Sequence, residues 1–134
     1  MVILGAGLDT RVYRIDQLRF GENLVYEIDF SEINHYKEEI LENEHPLCQL
    51  IRISTDLSNS NLISQLLRSG FSSDSPSLWI LEGLAYYMAK ENFESLLSQI
   101  SNMGLNDCQL FVDLCAPVCA EVDFGPFFAI SSGG

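Results

Sequence analysis

Positive charge is scarce in this chain of 134 residues. Seven lysines and arginines stand against nineteen aspartates and glutamates, a formal net charge of −12. Such an acidic surface repels phosphate backbones and anionic lipid headgroups, which speaks against a nucleic-acid partner and against a membrane surface. Histidine is scarce too. His35 and His45 lie far in sequence from most of the four cysteines, Cys48, Cys108, Cys115 and Cys119, and no Cys-x-x-Cys pair is present. That is not the spacing of a zinc site. The cysteines read as reduced thiols of a cytoplasmic protein. No apolar run approaches the roughly 18 residues of a membrane span, and the first residues read as strand rather than as a charged leader. A Gly-Lys-Ser/Thr run is missing, which excludes a P-loop, and there is no internal repeat. The length allows one domain, and 47% apolar against 19% charged residues is a globular composition.

What is present is organised around Val2-Ile3-Leu4-Gly5-Ala6-Gly7-Leu8-Asp9-Thr10-Arg11. Three apolar residues form a buried strand, Gly5 and Gly7 make a bare turn, and a helix is expected from about Asp9. A strand that stops at a Gly-x-Gly turn and opens into a helix seats nucleoside ligands in α/β proteins. Thr10 fills the slot where a dinucleotide site carries its third glycine. Asp9 places a carboxylate where a phosphate would compete for the same amides. The turn therefore fits a phosphate-free nucleoside, S-adenosylmethionine, better than NAD.

Leu24–Asp29 reads as the second strand. Its tip, Asp29, lies 24 positions beyond Gly5, where an acidic residue accepts the ribose hydroxyls. Glu27 points to the same side and is the other candidate for that role. Arg11 and Arg14 oppose the dipole at the start of the first helix, so carboxylate partners are expected, with Glu27 and Asp29 as candidates; two solvated arginines are the alternative. Ser31 is the expected N-cap of a helix to about Asn43, with Ile33, Tyr36 and Ile40 at helical spacing. Leu50–Ile53 reads as strand three. Asp56 and Leu57 follow it, an acceptor for an adenine amine and an apolar edge with a backbone N–H; a helix-capping Asp56 is the alternative. Leu62, Ile63, Leu66 and Leu67 give the next helix its apolar face, and Gly70 stops it. Leu78–Leu81 reads as a strand buried on both faces, ending at Glu82-Gly83, where a glutamate suits an ammonium or sulfonium. Tyr86 and Tyr87 follow, one of them expected to face the site. A helix over 90–103 carries Phe93, Leu96, Leu97, Ile100 and Met103 as a core stripe, and Gln109–Asp113 is strand five. Beyond Pro117 the pattern fades.

These motifs together resemble the leucine carboxyl methyltransferase family: Leu4-Gly5-Ala6-Gly7-Leu8-Asp9-Thr10-Arg11, Tyr26-Glu27-Ile28-Asp29, Asp56-Leu57, and Glu82-Gly83-Leu84-Ala85-Tyr86-Tyr87-Met88, in that order, over residues 2 to about 114. The resemblance implies a Rossmann-like class I methyltransferase fold, an α/β three-layer sandwich with parallel strand order 3-2-1-4-5. It implies S-adenosyl-L-methionine as cofactor, with Gly5 and Gly7 beside its methionine portion, Asp29 on the ribose, Asp56 and Leu57 on the adenine and Glu82 near the methyl donor. Family members carry a helical segment before strand one and further elements after strand five, so the expectation is a single cofactor-binding domain, incomplete at both ends. The expected reaction is O-methylation of a small-molecule or peptide carboxylate or hydroxyl. A NAD-type domain, or a non-catalytic remnant of the fold, is the alternative.

Overall fold

The computed structural model describes residues 1–59 and 61–114 of the chain. Five strands alternate with helices: β1 (Val2–Leu4), α1 (Arg11–Arg14), β2 (Leu24–Asp29), α2 (Ser31–Ile40), β3 (Gln49–Ser54), α3 (Leu62–Arg68), β4 (Ser77–Leu81), α4 (Lys90–Ser101) and β5 (Cys108–Val112). Short 3₁₀ turns at Asp16–Arg19 and Ala85–Tyr87 lie between them. The strands form one parallel sheet in the order β3-β2-β1-β4-β5. This is the Rossmann-like class I methyltransferase order that the resemblance implies. The order reverses beside β1, which puts the Gly5–Gly7 turn at the switch point, where open α/β sheets form their ligand crevice.

Strand alternation divides the apolar residues between two cores. Val2, Leu4, Tyr26, Ile28, Ile53, Trp79 and Leu81 face α3 and α4, which contribute Leu62, Leu66, Phe93, Leu96, Leu97 and Ile100. Tyr26, Phe71 and Trp79 meet edge to face there, with ring centroids 5.8 and 5.5 Å apart. The opposite side of the sheet packs Ile3, Val25 and Ile80 with Ala6 and Val12. Trp79, Ile80 and Leu81 of β4 are buried, as a strand with two covered faces requires, but Leu78 at its start remains 38% exposed.

Three local expectations fail. The first helix begins at Arg11, not Asp9, because the Asp9 side chain caps it from outside: Oδ1 accepts the Arg11 backbone N–H at 2.8 Å. Phe30, not Ser31, is the N-cap of α2, and the helix stops at Ile40 rather than Asn43. The α2 stripe faces the other way from the one expected. Ile33, Tyr36 and Ile40 are 36, 53 and 52% exposed, whereas Asn34 and Lys37 are buried. The cause lies in the sheet beneath. Glu27 of β2 is fully buried, and a buried carboxylate needs a cation and hydrogen-bond donors. Lys37 Nζ lies 2.9 Å from Glu27 Oε2, and Arg52 Nε donates to the same oxygen at 3.0 Å. Asn34 Nδ2 donates to the Ile53 carbonyl and to Ser54 Oγ. Polar pairing, not apolar periodicity, orients this helix. The segment beyond Pro117 expected to lose its pattern, together with Cys115 and Cys119, lies outside the described residues.

Candidate functional site

Each β-strand delivers an acidic residue at or just past its carboxyl end: Asp9 after β1, Asp29 closing β2, Asp56 after β3, Glu82 after β4 and Asp113 after β5. Parallel strands bring all these ends to one edge of the sheet, so the topology itself gathers them.

Gly5 (φ +66°) and Gly7 (φ +47°) take left-handed backbone that an L side chain adopts only with strain. A Cβ on Gly5 would stand 3.0 Å from Leu84 Cδ1. Glycine thus keeps open the space between β1 and the segment after β4. The turn is tied down by its own amides. Gly5 and Ala6 N–H donate to the Ile28 carbonyl at 2.9 and 3.1 Å. The Gly7 N–H donates to Asp29 Oδ2 at 2.7 Å, and Asp29 Oδ1 accepts the Phe30 N–H at 2.8 Å. Asp29 is therefore oriented from both sides while it lines the cleft.

That cleft is bounded by Gly5, Asp29, Phe30, Thr55, Asp56, Leu57, Ser58, Leu84, Tyr87 and Met88 and encloses about 80 Å³. Across Gly5 lies a second hollow of about 290 Å³, walled by Ile3, Gly5, Ala6, Leu8, Asp9, Thr10, Arg11, Arg14 and Glu82. Gly5, Asp29, Asp56 and Leu57 meet in the first space; Glu82 lies in the second and shares Gly5 with it. Gly7 lines neither, and enters through its hydrogen bond to Asp29. Asp56 does not cap α3. Its Oδ1 accepts the Ser58 N–H at 2.8 Å in a local turn, and α3 starts only at Leu62. Glu27, the other acid on the β2 face, is held in the buried pair with Lys37 and is unavailable to a ligand. Tyr87 is the tyrosine that reaches the cleft, at its rim and 88% exposed.

The expected partners of the first-helix arginines are corrected. Arg11 pairs with Asp9 (Nη1–Oδ2, 3.1 Å) and, through Nη2, with Glu82, and not with Glu27 or Asp29. The hydrogen bond to Glu82 holds the Arg11 guanidinium above its ordinary value. Arg14 Nε donates to Thr10 Oγ1 at 3.3 Å. The positions of these partners follow from topology: β1 and β4 are neighbours, so residues just past their ends meet, although 71 positions separate Arg11 from Glu82.

The sequence pattern of the leucine carboxyl methyltransferase family matches residues 1–101. The chain belongs to this family. Among its curated relatives, a protein of Mycobacteroides abscessus named "Putative S-adenosyl-L-methionine-dependent methyltransferase" is 34% identical over 103 residues, covering 75% of this chain and 33% of the relative. Proteins of the same name from Mycobacterium sp. (strain KMS) and Mycobacterium ulcerans are 32% identical over 124 residues and 33% identical over 114. The first covers 91% of this chain and 40% of the relative, the second 84% and 36%. The chain thus spans a third to two fifths of the length of these relatives.

Sequence alone does not single out several members of this candidate site. Phe30 and Leu84 enter it because they neighbour Asp29 and Glu82 on the turns. Asp113 Oδ1 accepts the Gly83 N–H at 2.6 Å, fixing the glycine (φ +68°) beside Glu82. Its place at the end of a strand, like that of the other acids, was the available signal. Among the described residues no helix is long and apolar enough to cross a membrane, and no group of three metal-binding side chains occurs.

Proposed function

We propose that this chain is the cofactor-binding part of an S-adenosyl-L-methionine-dependent O-methyltransferase. The observation that carries the reading is the convergence of Gly5, Asp29, Asp56 and Leu57 on one cleft, joined across Gly5 to Glu82, in a member of this family. Relatives that match most of the chain bear a methyltransferase name, which supports the assignment.

The residues suit such a cofactor. Asp29, oriented by two backbone N–H groups, retains carboxylate lone pairs for the ribose hydroxyls. Asp56 and Leu57 offer an acceptor and an apolar edge to the adenine. The open space at Gly5 admits the chain that joins nucleoside to amino acid, and Glu82 lies on the far side for its cationic end. A dinucleotide fits poorly. Its pyrophosphate needs free amides at the turn, and here those of Gly5, Ala6, Gly7, Asp9 and Arg11 are already bonded within the protein.

When bound, S-adenosylmethionine supplies a methyl group already activated on a sulfonium. The protein's part is to align that group with a nucleophile and keep water away. A carboxylate acceptor attacks with its own lone pair and needs no base, whereas a hydroxyl would need one. Among the described residues no histidine lines the cleft; His35 sits exposed on α2, 3.4 Å from Glu39. This favours a pre-ionised oxygen, a carboxylate on a small molecule or peptide, as acceptor. We place the protein in the cytoplasm, where Cys48 and Cys108 remain free thiols. Calorimetric titration of the 134-residue chain with S-adenosylmethionine, S-adenosylhomocysteine and NAD tests the reading. The first two should bind and NAD should not. Asp29→Ala should weaken both by about thirtyfold, the loss of a pair of charge-assisted hydrogen bonds. Binding of NAD in preference would overturn it.

A further inference from the structure

Glu82 stands half-exposed on a turn, its side chain 51% accessible. A glutamate so placed has several rotamers open to it, and fixing one costs side-chain entropy. Its charge is also unwelcome there, because Asp9 lines the same hollow. Two contacts counter this. Arg11 Nη2 donates to Glu82 Oε2, the one hydrogen bond to this side chain among the described residues. The adjacent backbone is pinned by the Gly83 N–H, which donates to Asp113 Oδ1. Arg11 is itself set from behind: Asp9 accepts its backbone N–H and faces its Nη1. Its guanidinium hydrogen-bonds Glu82 through Nη2 and stands in charge contact with Asp9 through Nη1, without hydrogen-bond geometry there; a lysine ammonium on a flexible stem does not reproduce that planar arrangement.

We infer that Arg11 is a positioning residue for Glu82, fixing the direction in which that carboxylate meets the amino-acid arm of the ligand. The inference rests on the cofactor reading above and deepens it. Asp56 and Leu57 mark the base end of the cleft, and Gly5 is the one residue common to both spaces. A nucleoside seated on Asp29 and Asp56 therefore sends its 5′ substituent across Gly5 into the hollow that Arg11 and Glu82 wall. Arg11 acts through Glu82 and contributes nothing to ribose or adenine.

The test uses ligands that differ in that arm. S-adenosylmethionine carries it, and 5′-methylthioadenosine shares the ribose and adenine but lacks it. For Arg11→Met, calorimetry should show affinity for S-adenosylmethionine about tenfold weaker, with affinity for 5′-methylthioadenosine changed less than twofold. Arg11→Lys should recover part of the loss, and it carries the test if Arg11→Met fails to fold. Equal losses for both ligands would make Arg11 a structural residue only. An unchanged affinity for S-adenosylmethionine would remove its role altogether; either result overturns the inference. If the parent chain, folded by circular dichroism, binds neither ligand, the cofactor reading itself fails, an outcome distinct from both.

Discussion

Lys37→Met tests the idea that a charge pair, not an apolar stripe, seats α2 on the sheet. Methionine matches the stem of the lysine and fills the same slot, so packing changes little. What disappears is the ammonium 2.9 Å from Glu27 Oε2. Glu27 and Lys37 are fully buried, and Glu27 Oε1 already has no hydrogen-bond partner. The Lys37–Glu27 approach is a charge contact without hydrogen-bond geometry, since Nζ also lacks a hydrogen-bond partner. After the substitution Glu27 keeps, among the described residues, only Arg52, which also bonds Tyr13 Oη at 2.7 Å and faces Glu38 at 3.7 Å. Removing one member of a buried pair costs about 3–5 kcal/mol. The surviving arginine points to the lower end, about 3 kcal/mol. For a domain of marginal stability, about 5–15 kcal/mol, that is a large fraction.

Equilibrium urea denaturation reads the effect directly. With a slope of about 1–2 kcal/mol/M the midpoint should fall by about 1.5–3 M. Glu27→Met combined with Lys37→Met should recover at least half of the loss, because the unpaired carboxylate goes with its partner. A Lys37→Met protein within about 0.5 kcal/mol of the parent, the range of a neutral surface change, would refute the reasoning. The helix would then be held by contacts other than this pair.

Further outcomes follow from the same structure. Ile40→Ser, on the outward stripe of α2 and 52% exposed, should shift the urea midpoint by an amount equivalent to no more than about 0.5 kcal/mol; a core-sized loss would show that the stripe is buried after all. Gly5→Ala, at φ +66° and 3.0 Å from Leu84 Cδ1, should cost about 1–2 kcal/mol in backbone strain, since the leucine tip can yield, and should also weaken S-adenosylmethionine binding in calorimetry. Burial pushes the Cys48 and Cys108 thiols and the Tyr26 hydroxyl above their ordinary values. Each group is then more protonated folded than unfolded. Their stabilisation is complete below the unfolded values and lost as pH rises through the folded ones, so the urea midpoint should decline above about pH 9. For the same reason iodoacetamide at pH 8 should modify Cys48 and Cys108 more slowly than a thiol in an unstructured peptide.

The legible parts of this chain were those where one physical requirement dominates. Buried strands had to be short apolar runs, and β1 and β4 are. Gly5 and Gly7 had to permit positive φ, and they do. Residues just past strand ends had to gather at one edge, which is why acids far apart in sequence meet. Illegibility began where two requirements competed. Ile33, Tyr36 and Ile40 have the spacing of a core face, yet Glu27 beneath them demanded Lys37 and outweighed the apolar stripe. Periodicity counts hydrophobic side chains and is blind to a buried charge on another element. Arg11 was missed as a partner of Glu82 for a related reason. Local spacing points to β2 for its carboxylate, whereas strand order brings β4 beside β1.

That order also explains how, in the proposed site, one turn would discriminate between ligand types. In a phosphate-binding turn the first amides of the helix are left open, and the dipole draws the anion in. Here Asp9 and Asp29 are both supplied from within the fold and accept the Arg11 and Gly7 N–H groups. The anion the turn wants is already built in. An incoming phosphate would have to displace two carboxylates and would meet their repulsion, while the hydroxyls of a sugar meet an oriented acceptor and a cationic arm meets Glu82. In the proposed site, specificity for an uncharged nucleoside body with a positive tail would therefore follow from how the glycine turn satisfies its own donors, and removing those carboxylates should loosen it before it destroys the fold.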